Sequence, residues 1–324
     1  MQFDVKAGIV KIESPMGIQI PTTMKSMSAT PIGPKAPTSS STTNLTVAFT
    51  TPPNYAGRLS QLIALQGFNP LWCPTLVVQY TLDTLSALKP YLSPKSLDSF
   101  SAVAFTSRTG ISAFSEAIAA LDQPPLSPSG EDFIIAALGK DSELINNEFV
   151  AKLCENDGRV KVLVPPIATP RSLVTSLGDG RNRRILCPVP VVVDLEEPPV
   201  VPDFLQDLES AMWVPVRVGA YETRWAGREC AKEVAERIEK GEMEAIVFTS
   251  TAEVEGLLKS LKEFGLDWRE VKKKCPNMVA AAHGPVTEAG AKRLGVEIDL
   301  VGAKFESFDG VVNALRLRLL VSAH

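Results

Sequence analysis

Four short segments of this chain are written twice, in the same order and at a nearly constant distance, and that duplication limits the fold more than any other feature. Trp72-Cys73-Pro74 with the apolar run to Tyr80 recurs as Trp213-Val214-Pro215 running to Tyr221, an offset of 141 with the same W-x-P-x5-Y spacing. Ala104-Phe105-Thr106-Ser107 recurs as Val247-Phe248-Thr249-Ser250 at offset 143, and the eight residues from Ala136 to Glu143 recur from Ala281 to Glu288 at offset 145. Thr169 to Val174 faces Ser307 to Val312 at offset 138. The chain therefore reads as a tandem duplication over about 46–178 and 184–320.

Each copy alternates short β-rich runs with helical patterns, which implies parallel strands covered by helices on both faces, an α/β fold. Val103 to Phe105, Ile134 to Ala137, Ala245 to Phe248 and Met278 to Ala282 are predicted as buried strands. Val254, Leu257, Leu258 and Leu261 follow at i, i+3, i+4 and i+7, the spacing of an amphipathic helix. Ser250 with Glu253 three residues on makes a capping box, so this helix begins at Ser250. Another helix opens at Pro285 and closes before Gly295.

The 324 residues leave room for two domains. With 33 Lys and Arg against 37 Asp and Glu, and no basic run, nothing suits a phosphate backbone, so nucleic acid is not an expected partner. The longest apolar run, Ile185 to Val193, is broken by Pro188 and Pro190 and falls far short of the ~18 residues of a membrane helix. Five scattered cysteines without a CxxC pair point to reduced thiols, and two histidines, His283 and His324, leave no basis for a multi-histidine metal site or a Ser-His-Asp triad. The first 45 residues differ from the rest: no Asp or Glu occurs from Ser14 to Leu82, and Thr22 to Thr46 is rich in Ser, Thr and Pro. This is the composition of an organelle transit peptide or of a plain disordered extension. Met24 and Met27 offer later starts.

In open α/β sheets ligands sit beyond the carboxyl ends of the strands, where helix N-termini present unpaired N–H groups. The duplicated segments lie there. Thr106, Ser107, Ser142, Thr169, Thr249, Ser250, Thr287 and Ser307 put hydroxyls beside those N–H groups, and Arg108, Lys140, Arg171 and Lys304 add charge, an arrangement suited to carboxylates. The plainer reading makes each hydroxyl a helix cap, which for one residue alone is the better reading; the same tripeptide written twice favours a ligand cleft. Tyr221 ends a run that alternates as a strand from Val214 to Thr223. It reads as a packing residue or, with a phenol protonated at neutral pH, as a general acid needing no histidine. His283 reads as a structural residue.

The apolar strand followed by Phe-Thr-Ser at 105–107 and 248–250, Tyr221-Glu222-Thr223, and Ala282-His283-Gly284-Pro285-Val286-Thr287 followed by Ala291, Leu294 and Gly295 resemble the uroporphyrinogen-III synthase family over about residues 46–320. The resemblance implies two flavodoxin-like domains with parallel sheets: a discontinuous one from 46–74 and 224–320, a second at 81–213, and a two-stranded linker at 75–80 and 214–223. It implies closure of the linear tetrapyrrole hydroxymethylbilane to uroporphyrinogen III, with inversion of the last ring and loss of water, by a monomer without metal or organic cofactor, in the chloroplast stroma or else the cytoplasm. By motif position Tyr221 matches the proposed proton donor and Thr287 a substrate-contacting threonine. Thr106, Ser107, Arg108, Lys140, Ser142, Thr249, Ser250, Gly284 and Ser307 complete the expected substrate site. Departures are Thr50-Thr51-Pro52-Pro53, where the family often has Thr-Arg, Arg108 directly after Ser107, His283 before Gly284, and the proline-rich stretch from Pro188 to Pro202. A non-catalytic two-lobed paralog binding a tetrapyrrole or another polycarboxylate stays open beside the enzyme.

Overall fold

The computed structural model describes residues 45–303 and 307–321. The extension expected over residues 1–45, with its plastid address, lies outside the described residues but for Leu45, as does Lys304. Eleven strands are present among the described residues: β1 (Thr46–Phe49), β2 (Asn69–Trp72), β3 (Leu76–Gln79), β4 (Ala102–Phe105), β5 (Phe133–Ala137), β6 (Val160–Leu163), β7 (Arg184–Val193), β8 (Val214–Trp225), β9 (Ala245–Phe248), β10 (Val279–Ala282) and β11 (Leu300–Val301). The helices are α1 (Pro53–Leu65), α2 (Leu82–Leu92), α3 (Arg108–Ala119), α4 (Asn147–Leu153), α5 (Pro170–Leu177), α6 (Val200–Ser210), α7 (Lys232–Lys240), α8 (Thr251–Lys262), α9 (Trp268–Lys274), α10 (Pro285–Arg293) and α11 (Asp309–Val321).

The strands form two sheets. The first has the order β11-β10-β9-β1-β2 and is parallel throughout. Its central strands, TVAF, AIVF and VAAA, are buried at every position, as strands covered on both faces must be. Alternate residues feed two cores: Val47 and Phe49 pack with Leu59, Ile63 and Leu315, while Ala48, Ile246 and Phe248 pack with Ile238, Val254 and Leu257. The second sheet has the order β3-β8-β7-β4-β5-β6, with β3 antiparallel to β8 and the other strands parallel. Val103 and Phe105 face Leu88 and Phe114; Ala102 and Ala104 face Leu173, Phe204 and Trp213.

Pro188 and Pro190 look misplaced in the interior strand β7, since proline cannot donate to a ladder. Their position resolves the difficulty. β4 pairs with β7 only at Ile185 and Leu186, so beyond them β7 needs no donor on that side and continues with β8 as a ribbon. The register slips between Val189 and Pro190: Val189 opposes Gly219 and Pro190 opposes Tyr221, leaving Ala220 as the extra residue of a bulge. Simple alternation from Val214 to Thr223 would send Tyr221 to the face opposite Val218 and Ala220. The bulge brings all three into one core.

The segments 75–80 and 214–223 contain β3 and most of β8, which pair from Leu76 opposite Trp225 to Gln79 opposite Glu222. The chain passes from the first sheet to the second through Cys73-Pro74-Thr75 and returns through Ala226 and Gly227. Near these crossings the lobes also touch: the Glu255 carboxylate accepts the Glu196 N–H (3.0 and 3.1 Å), and Lys259 Nζ donates to the Asp194 carbonyl (2.7 Å).

Close helix contact in the first lobe depends on Gly290. A Cβ at this position of α10 would overlap the side chain of Thr251, the first residue of α8. Gly290→Ala is expected to lower the unfolding free energy by about 1–3 kcal/mol through overpacking, measured by urea denaturation.

Candidate active site

In the second lobe the polar cluster forms at the carboxyl ends of β4 and β5. After Phe105 the chain turns into α3 with Ser107 as N-cap, its Oγ accepting the Gly110 N–H at 3.1 Å. The same Oγ–H donates to Tyr221 Oη at 2.7 Å, so Ser107 bridges the α3 terminus and the bulged strand β8. Tyr221 is 5% exposed, and burial pushes its phenol up to about 12 against the lowering effect of the Ser107 bond. Since Ser107 supplies the hydrogen between them, the phenol's own hydrogen is left to donate elsewhere.

Next to this pair, Arg108 lies 4.0 Å from Asp141, a residue of the turn after β5. Arg108 is the first residue of α3, so the Asp141 carboxylate stands near the head of that helix, where an anion is favoured. Burial pushes its carboxyl up, with Arg108 opposing.

The first lobe contributes Tyr55 from the opening turn of α1. Its ring meets Phe308 edge-on at 6.5 Å, and Phe308 in turn meets the His283 ring at 5.1 Å. Burial raises the Tyr55 phenol to about 12, the Asp141 charge adds to this and Arg108 opposes it, while Tyr55 itself contributes to the upward shift of Tyr221. A residue after β1 thus lies within electrostatic reach of groups after β4 and β5 and on β8, so the carboxyl ends of the two sheets face each other. One turn on from Tyr55, Arg58 lies 3.8 Å from Asp309.

Beneath that edge, Glu253 is enclosed on α8. The expected capping box is half realised. Ser250 Oγ does accept the Glu253 N–H (3.4 Å), and α8 begins immediately after Ser250. The Glu253 carboxylate, however, accepts the Thr249 N–H (2.8 Å), together with the hydroxyls of Thr50 (2.7 Å), Thr249 (2.5 Å) and Ser250 (3.2 Å), rather than the N–H of Ser250. The reason is the neighbouring strand: β1 delivers Thr50 beside β9, and four donors converge on a carboxylate to which the box alone would supply one. Burial pushes this carboxyl up despite the bonds that lower it.

The other sequence-predicted residues divide by what their side chains do. Thr287 is buried in the first turn of α10, and its Oγ1 donates to the Thr249 carbonyl at 3.1 Å; Gly284 is the N-cap of the same helix, in extended backbone. The Ser142 hydroxyl donates to the Gly139 carbonyl at 2.7 Å within its own turn. Ser307 Oγ accepts the Asp309 N–H at 3.1 Å and donates to the Asp309 carboxylate. Thr169 caps α5, with Arg171 exposed behind it. Half-buried Thr106 and exposed Lys140 have no hydrogen-bond or ion-pair partner among the described residues. Ser107, Arg108 and Tyr221 come together; Thr249, Ser250 and Thr287 meet in a separate network around Glu253. Tyr55, Arg58 and Asp141 were missed, although Tyr55 and Arg58, three residues apart just after Thr50-Thr51-Pro52-Pro53, were the available signal. No cluster of three metal-ligating side chains exists among the described residues.

Residues 57–311 match the family described as uroporphyrinogen-III synthase HemD. No curated protein matches the chain. Among solved structures, a selenomethionine mutant of uroporphyrinogen III synthase from the extremely thermophilic bacterium Thermus thermophilus superposes with a TM-score of 0.52 at 17% identity, covering 86% of this chain and 99% of that one. The uroporphyrinogen-III synthetase of Helicobacter pylori covers 86% of this chain and 100% of its own at 13% identity, with a TM-score of 0.42. The first of these likenesses carries the fold, two α/β domains with parallel sheets.

Proposed function

The chain belongs to the uroporphyrinogen-III synthase family, and on that premise we propose that it closes hydroxymethylbilane to uroporphyrinogen III with its own side chains alone, as a monomer, the Ser/Thr-rich stretch from Thr22 to Thr46, which holds no Asp or Glu, favouring a plastid setting. The observation that carries the reading is the phenol of Tyr221, held by Ser107 at an edge that faces a second lobe. Loss of the hydroxymethyl oxygen as water requires a proton, and Tyr221 keeps its proton throughout the neutral range. The cation that results is reactive, so positioning of the chain's last ring decides the product more than acid strength does.

Eight substrate carboxylates need partners. Arg108, Arg58 and exposed Lys140 stand at the facing edges, and the first two are held only loosely by Asp141 and Asp309, so substrate carboxylates can take those places. Arg58 supplies a cation seven residues after Thr51, in α1, whereas relatives often carry arginine in the strand-end motif itself. Asp141 at the head of α3 already marks where a carboxylate is favoured.

The test is a coupled assay from porphobilinogen with the isomers separated after oxidation. Formation of the type III isomer is the expected result. Only the type I isomer, which arises without enzyme, together with saturable calorimetric binding of uroporphyrinogen III, would select the non-catalytic binding module instead. Neither turnover nor binding would reject both readings.

A further inference from the structure

Helix α8 carries more than the Glu253 network. Gly256, Ser260, Glu255 and Lys259 repeat at a spacing of four, and together they meet both crossings and the loop of the second lobe that follows β7. Gly256 seats the outgoing crossing: a Cβ there would lie 2.9 Å from the Thr75 carbonyl oxygen, and Thr75 Oγ1 donates to the Glu253 carbonyl at 3.1 Å. Ser260 holds the returning one, its Oγ accepting the indole N–H of Trp225, the last residue of β8, at 2.8 Å. The crossings are also bonded to each other, the Ala226 N–H donating to the Thr75 carbonyl at 3.0 Å.

Glu255 and Lys259 reach past the crossings. Both Glu255 oxygens accept the Glu196 N–H, and Lys259 Nζ donates to the Asp194 carbonyl while standing 4.7 Å from the centroid of the Trp225 ring. Asp194 itself is held in left-handed backbone (φ 59°), uncommon outside glycine. At offset 143 the other copy has Ser112, Ala113, Glu116 and Ala117 in α3 where α8 has Glu255, Gly256, Lys259 and Ser260. The shared architecture of the repeat therefore does not require these four residues.

Two short paths join this contact to the cleft. In the first lobe α8 follows directly on Thr249 and Ser250; in the second, the loop with Asp194 and Glu196 continues β7, whose Pro190 opposes Tyr221. We propose that Glu255 and Lys259 are positioning residues, a clasp that holds the facing edges of the two lobes at the separation in which Tyr221 and the end of β9 serve the same substrate. Its kinetic consequence rests on the activity proposed above. Two adjacent crossings make a hinge, and the clasp sets how large a fraction of molecules stands closed across it. Neither residue has to touch the substrate. Losing the clasp lowers the binding-competent fraction, which raises the apparent substrate constant by the inverse of that fraction, whereas saturating substrate restores the closed arrangement and spares turnover.

Glu255→Ala and Lys259→Met, singly and combined in the full-length chain, test the clasp. In the double variant the radius of gyration from solution X-ray scattering should rise. Lys259→Met alone should speed deuterium exchange at the Glu196 amide, a group that Lys259 does not touch. The apparent substrate constant of the double variant should rise about tenfold with kcat within about twofold. Glu255→Gln, whose amide oxygen still accepts the Glu196 N–H, and Lys259→Arg, which keeps the donor and the charge, should retain wild-type values. Unchanged scattering, unchanged exchange at Glu196 in Lys259→Met, or a fall in kcat at a constant apparent affinity would each overturn the proposal, and so would losses in the two conservative variants equal to those in Glu255→Ala and Lys259→Met. A wild-type chain without turnover would count against the proposed activity alone, because scattering and exchange need no substrate and still decide whether the clasp holds the lobes.

Discussion

Tyr221→Phe is expected to lower turnover by about 100-fold, the usual scale for loss of a general acid, while changing the unfolding free energy by about 1 kcal/mol or less. The ring is enclosed with Val218 and Ala220, so its packing survives the substitution; only the Ser107 bond and the donated proton are removed. Ser107→Ala should produce a smaller loss, about tenfold, because the oxygen that develops charge loses one donor while the phenol remains. The rival donor is Asp141, a carboxyl pushed upward beside both phenols. The two are separable by pH. A phenol raised to about 12 stays protonated from pH 7 to 9 and gives a flat rate over that range. A carboxyl donor with a raised pKa loses its proton as pH rises, so the rate would fall. Asp141→Asn should keep turnover within about tenfold. It removes a charge that raises both phenols and releases Arg108 for the substrate. A 100-fold loss in Asp141→Asn with an active Tyr221→Phe would transfer the donor's role to Asp141.

How far these residues could be read in advance depends on the distance over which their contacts are made. The duplicated Phe-Thr-Ser segments located the ends of β4 and β9 to within a residue, and Ser250 and Pro285 marked the starts of α8 and α10, because strand burial and helix caps are local chemistry. Tyr221 could be placed on a strand, but its direction could not. That direction comes from the bulge at Ala220, which exists only in the register between β7 and β8. Tyr55 and Asp141 belong to different lobes, and no periodicity along the chain records that they share a field. The hydroxyls around Glu253 were legible as capping groups, whereas their convergence was not: Thr50 reaches that carboxylate from 203 positions away, because β1 inserts beside β9.

That convergence sets the second large effect. Glu253→Ala is expected to cost about 3 kcal/mol or more, since it strands the Thr249 N–H and the Thr249 and Ser250 hydroxyls, leaves the Thr50 hydroxyl only its longer bond to the Val247 carbonyl (3.3 Å), and opens a cavity. Glu253→Gln should behave in the opposite way at neutral pH. Its amide oxygen can keep the Thr249 N–H and the Thr50 hydroxyl, while its NH2 donates to the Thr249 and Ser250 hydroxyls, which can turn to accept. The sign of the pH dependence follows from the upward shift of the native carboxyl above its ordinary 4.5. In that window the folded chain retains a proton the unfolded chain has released, so stability falls as pH rises from 4.5 through the folded-state pKa and levels off above it. The glutamine variant lacks this loss, and its stability relative to wild type should therefore increase between pH 5 and pH 8 in urea denaturation. Equal slopes for the two proteins would mean that Glu253 does not titrate on unfolding. Thr50 leads directly through Thr51 and Pro52 into α1, so the same carboxylate also fixes where Tyr55 and Arg58 stand. Loosening it in Glu253→Ala should raise the apparent substrate constant before it lowers turnover, because Tyr221 and Ser107 are built on the other sheet.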